Sequence, residues 1–410
     1  MPVQSSSPVK SLPDSDRSQP HDQHHAAGGP ENKAKTIAGW AASGAIIALI
    51  LAFGLDLSAR LWMRADNYAQ TNTSWAWWVA KSVNESPRPD IAICGSSLMV
   101  ATVVDTDATF LNKVLDQVVY HRSKYLEHLI QERTGKQLRT QSLAIGGQMA
   151  SDAFALSTVL LTGNHKPEYL VWGIAPRDFV DGNFDRPAGT DTAKYMRKVA
   201  DGKDVLGLRT SVNERLDDFF AMCLYLYRHR DQALVVQDNI CRNILYSLGW
   251  KEPSFENLPK ALKYFVVEHC AENEPTNKWN VAPFTKGAPF TDNSMEYVAR
   301  YNPFHPKIYS AQLRFYEKMM DWCQKNNVRL ILINMPITKA NEDLMPGDMY
   351  AQYLKDTTSI AAKHKVEYVD LNKRGLFPDD DFRDTVHMNG KGGLEFWKQF
   401  VAHWPSSATP

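Results

Sequence analysis

Apolar and polar positions follow two rhythms along this chain. From residue 88 to about 180, short apolar runs end in glycine-bearing loops, and stretches with apolar residues three or four apart come after them, the pattern of strands followed by helices. Ile91-Ala92-Ile93, set off by Pro87, Pro89 and Asp90, reads as a buried strand that stops at Gly95-Ser96-Ser97. Leu111, Leu115, Val118, Val119, Leu126, Leu129 and Ile130 predict a helix over 110–130 that closes before Gly135. A second strand over 138–145 leads into Gly146-Gly147-Gln148, with Ser151-Asp152 placed to cap a helix over 153–161. The third strand, Tyr169 to Trp172, runs on into Gly173-Ile174-Ala175-Pro176-Arg177-Asp178. The same rhythm resumes near residue 305, with helices over 310–325 and 349–364, strands over 328–335 and 366–371, and a last helix over 393–403 entered through Asn389-Gly390-Lys391-Gly392. Strand, loop and helix in repeated succession predict an α/β fold, a three-layer α/β/α sandwich around a central parallel sheet whose strand ends form the ligand crevice.

The other stretches are organised differently. Residues 1–35 are rich in Ser, Pro, Gln, Asp and His and lack apolar periodicity, so they are expected to be disordered, with His21, His24 and His25 solvated rather than metal-bound. Residues 36–56 contain an uncharged run, Ile37 to Leu55, of the length that crosses a bilayer core as a helix. The long polar tail before it and the absence of an Ala-x-Ala site after it favour an uncleaved transmembrane anchor over a signal peptide, with the following domain exported from the cytoplasm. Lys33 and Lys35 are balanced by Arg60 and Arg64, so flanking charge does not fix the orientation. A juxtamembrane linker spans 57–87, and Trp62, Trp75, Trp77 and Trp78 suit either the headgroup level or a core. Residues 181–304 interrupt the α/β rhythm with helical patterns over 216–227 and 258–268 and read as an insertion or cap; the aromatic residues Tyr225, Tyr227, Trp250, Tyr264 and Trp279 offer core or sugar-stacking surface.

Composition narrows the function. The 410 residues carry 46 Lys and Arg against 46 Asp and Glu, a balance that gives no reason to expect nucleic acid as a partner. The five cysteines, Cys94, Cys223, Cys241, Cys270 and Cys323, form no Cys-x-x-Cys pair, which argues against a zinc ribbon or a dithiol redox site. Cys241 and Cys270 suit either a disulfide or ordinary thiols, and nothing in the sequence calls for a cofactor or a metal.

The chemistry-bearing residues lie at strand ends. Ser97 follows a strand and a glycine turn that would lift it above a sheet edge, and a serine in that position needs a base. Asp384-Thr385-Val386-His387, before the last helix, supplies a histidine with a carboxylate three residues away. Serine, histidine and aspartate at the ends of successive predicted strands are the parts that acyl transfer requires.

These ordered blocks resemble the SGNH, or GDSL-like, hydrolase superfamily, and more closely its membrane-anchored branch, which includes alginate O-acetyltransferase and the D-alanyl-lipoteichoic acid proteins. The likeness covers about residues 88–180 and 305–404. It implies a Ser97–His387–Asp384 triad, with Gly95-Ser96-Ser97 standing where the family has Gly-Asp-Ser. The backbone N–H of Gly147 is implied as an oxyanion donor, with Gly146 and Asp178 lining the substrate site. The family's Gly-x-Asn-Asp block is replaced here, and no asparagine is present to complete the oxyanion hole. Arg177 either takes that role or pairs with Asp178 and holds the loop. The resemblance further implies an O-acyltransferase or esterase acting on a cell-envelope or secreted polysaccharide, at the inner membrane with its catalytic domain on the outer side. Its acyl donor would come from a multispanning acyltransferase partner. A scaffold that has lost efficient chemistry and a lipase- or thioesterase-type hydrolase are the other expectations.

Overall fold

The computed structural model describes residues 44–63, 74–181, 187–200, 206–207, 212–249 and 279–405. The expected disordered tail, residues 36–43 of the expected span, the helix over 258–268, Trp250, Tyr264 and Cys270 lie outside them. The chain divides into two units, Met1–Leu55 and Asp56–Pro410. The described part of the first belongs to helix α1 (Gly44–Trp62), where Ile47, Leu49, Ile50, Leu51, Phe53 and Leu55 are exposed. Among the described residues no helix is long and apolar enough to cross a membrane.

The second unit is built on parallel strands. After helix α2 (Ser74–Glu85) come strand β1 (Ile91–Cys94), helix α3 (Ser97–Leu111), the short strand β2 (Leu115–Asp116), helix α4 (Lys124–Thr134) and strand β3 (Thr140–Ser142). Helix α5 (Ala150–Leu160), strand β4 (Tyr169–Ile174) and the single turn α6 (Arg177–Val180) complete the first half. Helices α7 (Asp191–Val199), α8 (Val212–Cys223), α9 (Tyr225–Arg228) and α10 (Arg230–Ser247), strand β5 (Asn280–Val281) and helix α11 (Ser294–Tyr301) follow. The second half contains α12 (Pro306–Lys325), β6 (Arg329–Asn334), α13 (Lys339–Glu342), α14 (Met349–Lys363), β7 (Glu367–Asp370) and α15 (Gly390–Ala402).

The main sheet has the order β3-β1-β4-β6-β7 with every neighbouring pair parallel. Its strands β1, β4 and β6 read Ile-Ala-Ile-Cys, Tyr-Leu-Val-Trp-Gly-Ile and Arg-Leu-Ile-Leu-Ile-Asn, the near-continuous apolar runs of strands covered on both faces. Strand β3, Thr-Gln-Ser, is an edge strand and polar. It is held by Glu127, whose carboxylate accepts from both the N–H and the hydroxyl of Thr140 at 2.9 Å. Counted among themselves the five strands run 2-1-3-4-5, the flavodoxin-like doubly wound order, which reverses direction beside β1. Helices α3, α4 and α15 pack together as one layer, and α5, α7, α12 and α14 form a second set of packed helices; right-handed crossovers put the two on opposite faces. Strands β2 and β5 pair antiparallel, Leu115 with Val281 and Asp116 with Asn280, tying the end of the 181–304 segment to the first layer.

The structure corrects two expectations. No helix spans 110–130: α3 begins at Ser97 and stops where Asn112 turns left-handed (φ 52°), and α4 starts only at Lys124. Residues Leu98 to Ala108 are all buried, so α3 carries no polar stripe whose period the sequence could reveal. The Asp107 carboxylate of α3 then accepts the Lys124 and Tyr125 N–H groups and so fixes the start of α4. Helix α5 likewise begins three residues before its expected start, because the Asp152 carboxylate folds back to accept the Met149 N–H at 2.9 Å.

Candidate active site

Strand β1 delivers the chain to Gly95, whose φ of 150° is open to glycine and closed to other residues. A Cβ there would lie 2.6 Å from Met99 Cβ and 2.9 Å from the Gly173 carbonyl oxygen. The close approach forces an abrupt turn, and Ser97 becomes the first residue of the 15-residue helix α3. Between Ile91 and Ala108 it is the one residue that is not buried. Its side chain therefore meets solvent at the positive end of the helix dipole, where developing negative charge is favoured.

His387 reaches it from the other end of the sequence. His387 Nε2 lies 2.8 Å from Ser97 Oγ, and Nδ1 lies 2.7 Å from Asp384 Oδ2. The other carboxylate oxygen, Oδ1, accepts the N–H groups of Val386 and His387 at 3.0 and 2.8 Å, so Asp384 closes its own turn while facing the ring. With Nδ1–H donating to Asp384, Nε2 is left to accept the Ser97 proton. Burial raises the Asp384 pKa, but the bond to His387, its charge and the two backbone N–H groups outweigh this and hold it below the usual carboxylate value.

The turn is fixed from three sides. Thr338 donates to the Thr385 carbonyl through both its N–H (3.1 Å) and its hydroxyl (2.7 Å), and Asn341 Nδ2 donates to the Thr385 hydroxyl at 3.1 Å. Arg383 bonds Asp105 on α3 at 2.8 Å. Beyond the turn, Gly390 and Gly393 press the start of α15 against Thr109 and Thr106 of α3, and a Cβ at either would collide with the threonine hydroxyl. The helix that starts with Ser97 is thus packed directly on the helix that follows His387.

Gly147 follows β3 with φ 81°, and within its turn Gly146 is exposed while Gln148 is buried. Among the described residues neither the Gly147 N–H nor the Ser97 N–H has an acceptor, so both are available to an incoming oxyanion. Gln148 links the two loops: its Oε1 accepts the Gly95 N–H at 2.9 Å, and its Nε2 donates to the Leu143 carbonyl at 2.8 Å. Sequence reasoning named Gln148 only as part of a turn. An amide directly after a double glycine, in an otherwise apolar strand-end loop, was the available signal.

Arg177 is buried at 2 % exposure and is engaged by carboxylates. Its Nη1 bonds Asp178 at 3.3 Å and the Gln148 carbonyl at 3.2 Å, and its Nη2 bonds Asp181 at 2.8 Å. Burial works against its charge, while Asp178 and Asp181 more than restore it and keep the guanidinium ionised. Asp181 also pairs with Arg300 of α11. Of the two roles expected for Arg177 the structure shows the pairing with Asp178 and Asp181, while Nη2 also borders Gly147, 3.4 Å from a Cβ built there. Asp178 is buried, accepts from the Ala175 N–H at 3.0 Å and from the Ser96 hydroxyl, and lines no surface open to substrate. It braces the Ser97 turn instead.

A tryptophan pair adjoins the Gly146 turn through Trp75. Trp75 lies 3.8 Å from a Cβ built on Gly146 and meets Trp279 edge-on at 5.7 Å between ring centroids. Trp78 is core, whereas Trp62 is 57 % exposed. Tyr225 and Tyr227 are half-buried and bonded to the Met63 carbonyl and Asp217. Cys94, Cys223, Cys241 and Cys323 are free thiols.

No family model matches this chain, and no curated protein matches it. Among solved structures it is similar to an acetylxylan esterase from Geobacillus stearothermophilus at 10% identity, over 78% of this chain and 95% of that one, with a TM-score of 0.34. It is also similar to an α/β hydrolase enzyme from the metagenome of Lake Arreo, Spain, at 11% identity over 78% and 96% of the two chains, with a TM-score of 0.32. Likeness this remote carries no weight for activity, which has to be read from the site itself.

Proposed function

We propose that this protein is a serine acyl-ester enzyme, an O-acyltransferase or esterase of the cell envelope that acts on polysaccharide through Ser97, His387 and Asp384. The observation that carries the proposal is the continuous chain Ser97 Oγ, His387 Nε2, His387 Nδ1, Asp384 Oδ2, with links of 2.8 and 2.7 Å. His387 takes the hydroxyl proton as Ser97 Oγ bonds to the acyl carbon, and Asp384 stabilises the imidazolium. The carbonyl oxygen becomes an oxyanion held by the Ser97 and Gly147 N–H groups. When the intermediate collapses, the alcohol leaves with the proton from Nε2 and an acyl-Ser97 ester remains. A second hydroxyl, of a sugar or of water, then attacks with His387 again as base, and Ser97 is regenerated.

The polysaccharide reading draws on the resemblance of the sequence blocks and on Trp75 beside Gly146 with Trp279 set edge-on against it, aromatic surface able to stack on sugar rings. The uncharged run Ile37 to Leu55 supports a single-pass anchor at the inner membrane with the triad on the outer side, and an activated acyl donor would then come from a multispanning partner. Incubating the chain with an activated acetyl ester and an oligosaccharide tests the reading. Acetylated oligosaccharide, lost in Ser97→Ala, establishes transfer; free acetate alone establishes a hydrolase; neither product from folded protein contradicts the proposal.

A further inference from the structure

Helices α8 and α10 carry apolar side chains that stay exposed among the described residues. In α8, Val212, Leu216, Phe219 and Phe220 fall at one helical face and are 73, 47, 52 and 41 % exposed. Along α10 and at its end, Ile240, Ile244 and Leu248 repeat every fourth residue and are 51, 54 and 70 % exposed. Large apolar side chains this exposed, repeated along two helices, mark a surface that meets something.

These helices are built onto one short stretch, Asp56 to Met63, the last turns of α1 and the residue after it. Asp56 Oδ1 accepts the Leu226 N–H at 2.7 Å, Arg60 Nη2 donates to the Cys223 carbonyl at 2.7 Å, and the Tyr225 hydroxyl donates to the Met63 carbonyl. Ala59 and Met63 are buried against Tyr225, Leu226, Ala233 and Val236. On the same stretch Leu57, Leu61 and Trp62 are 62, 83 and 57 % exposed. Asp56, Arg60, Ala59 and Met63 are thus spent on holding α8 to α10, while Leu57, Leu61 and Trp62 of the same stretch stay exposed.

We infer that α8 and α10 form an interfacial platform that rests on the lipid bilayer surface. The occupant is argued from α1. A protein groove covers one face of a helix, whereas the sequence that runs into Asp56 is apolar on every side, as lipid contact requires. A tryptophan and an arginine at its end, Trp62 and Arg60, are the residues that settle at headgroup depth. The inference rests on the anchor reading and extends it, because it would hold the exported domain against the membrane rather than on a free tether.

Site-directed spin labelling of the full chain tests this in vesicles of phosphatidylethanolamine and phosphatidylglycerol. Labels go at Leu216→Cys, Ile244→Cys, Leu51→Cys and, as an aqueous reference, Lys325→Cys, each with Cys223, Cys241 and Cys270 replaced by Ser. Turnover of a soluble ester within twofold of wild type confirms that each labelled chain is folded. The expected result is several-fold greater accessibility to oxygen, relative to a water-soluble nickel complex, at 216 and 244 than at 325. Nickel accessibility at 216 and 244 equal to that at 325, with lipid contact at 51, overturns the platform and leaves the anchor standing. Aqueous behaviour at all three overturns both, and shielding of 216 and 244 from both reagents overturns the platform by showing that protein covers it.

Discussion

Gly393 rests directly on the Thr106 hydroxyl, with no room for a Cβ between them. Through this contact the helix following His387 is seated on the helix that begins with Ser97. Gly393→Val should therefore displace α15, at a cost of about 1–3 kcal/mol for overpacking, and lower ester turnover at least tenfold by moving His387. The double variant Gly393→Ala with Thr106→Ala removes the colliding oxygen and should recover most of what Gly393→Ala alone loses. Urea unfolding and turnover on the same samples check both effects.

Gln148→Met keeps the volume of the side chain and removes both of its hydrogen bonds. The Gly95 N–H and the Leu143 carbonyl would be left buried and unpaired, at roughly 1–3 kcal/mol each. Because Gly95 sets the direction of Ser97 and Gln148 adjoins Gly147, kcat should fall more than KM changes, a split that steady-state kinetics reads directly.

Arg177→Met separates the two roles expected of this residue. As the partner of Asp178 and Asp181, its loss should destabilise the fold by about 3–5 kcal/mol. A direct oxyanion donor would instead lose about 10²–10³ in kcat with stability intact. Denaturant unfolding beside kinetics is expected to show the first pattern.

Much of this arrangement was legible in the sequence. The strand runs at β1, β4 and β6 were near-continuously apolar, and the glycine loops after β1 and β3 marked the strand ends where Ser97 and Gly147 lie. Helix α3 was not legible, because burial on all sides erases the period that reveals a helix. That Arg177 is spent on Asp181 was open to spacing only once a helical turn was expected there, since the two stand four apart, and only the fold brings Arg300 against Asp181. Asp178 was read as lining the site for the same reason, since its burial behind Ser96 depends on where β4 ends relative to β1.

Asp152 gives the fold a pH dependence of known sign. Burial pushes its pKa up from 3.8 to about 7, against the pull of the Thr190 hydroxyl and the Met149 N–H. A carboxyl whose folded value is raised contributes stability in its protonated form, full below the unfolded value and lost as pH rises through about 7. Between pH 6 and pH 8 the wild type should thus lose on the order of 1 kcal/mol relative to Asp152→Asn, which does not titrate. Urea unfolding of both proteins at the two pH values measures the difference.

The central claim is that Ser97 is a nucleophile activated by His387. Intact-mass analysis after treatment with a fluorophosphonate addresses it most directly, because the reagent bonds covalently only to an activated serine and needs no knowledge of the natural acyl group. Wild type should gain one adduct, localised to Ser97 by peptide mapping. Ser97→Ala should gain none, and His387→Ala should react more slowly by about 10³-fold or more. A folded wild-type chain that gains no adduct, or one that reacts as fast without His387, would contradict the account.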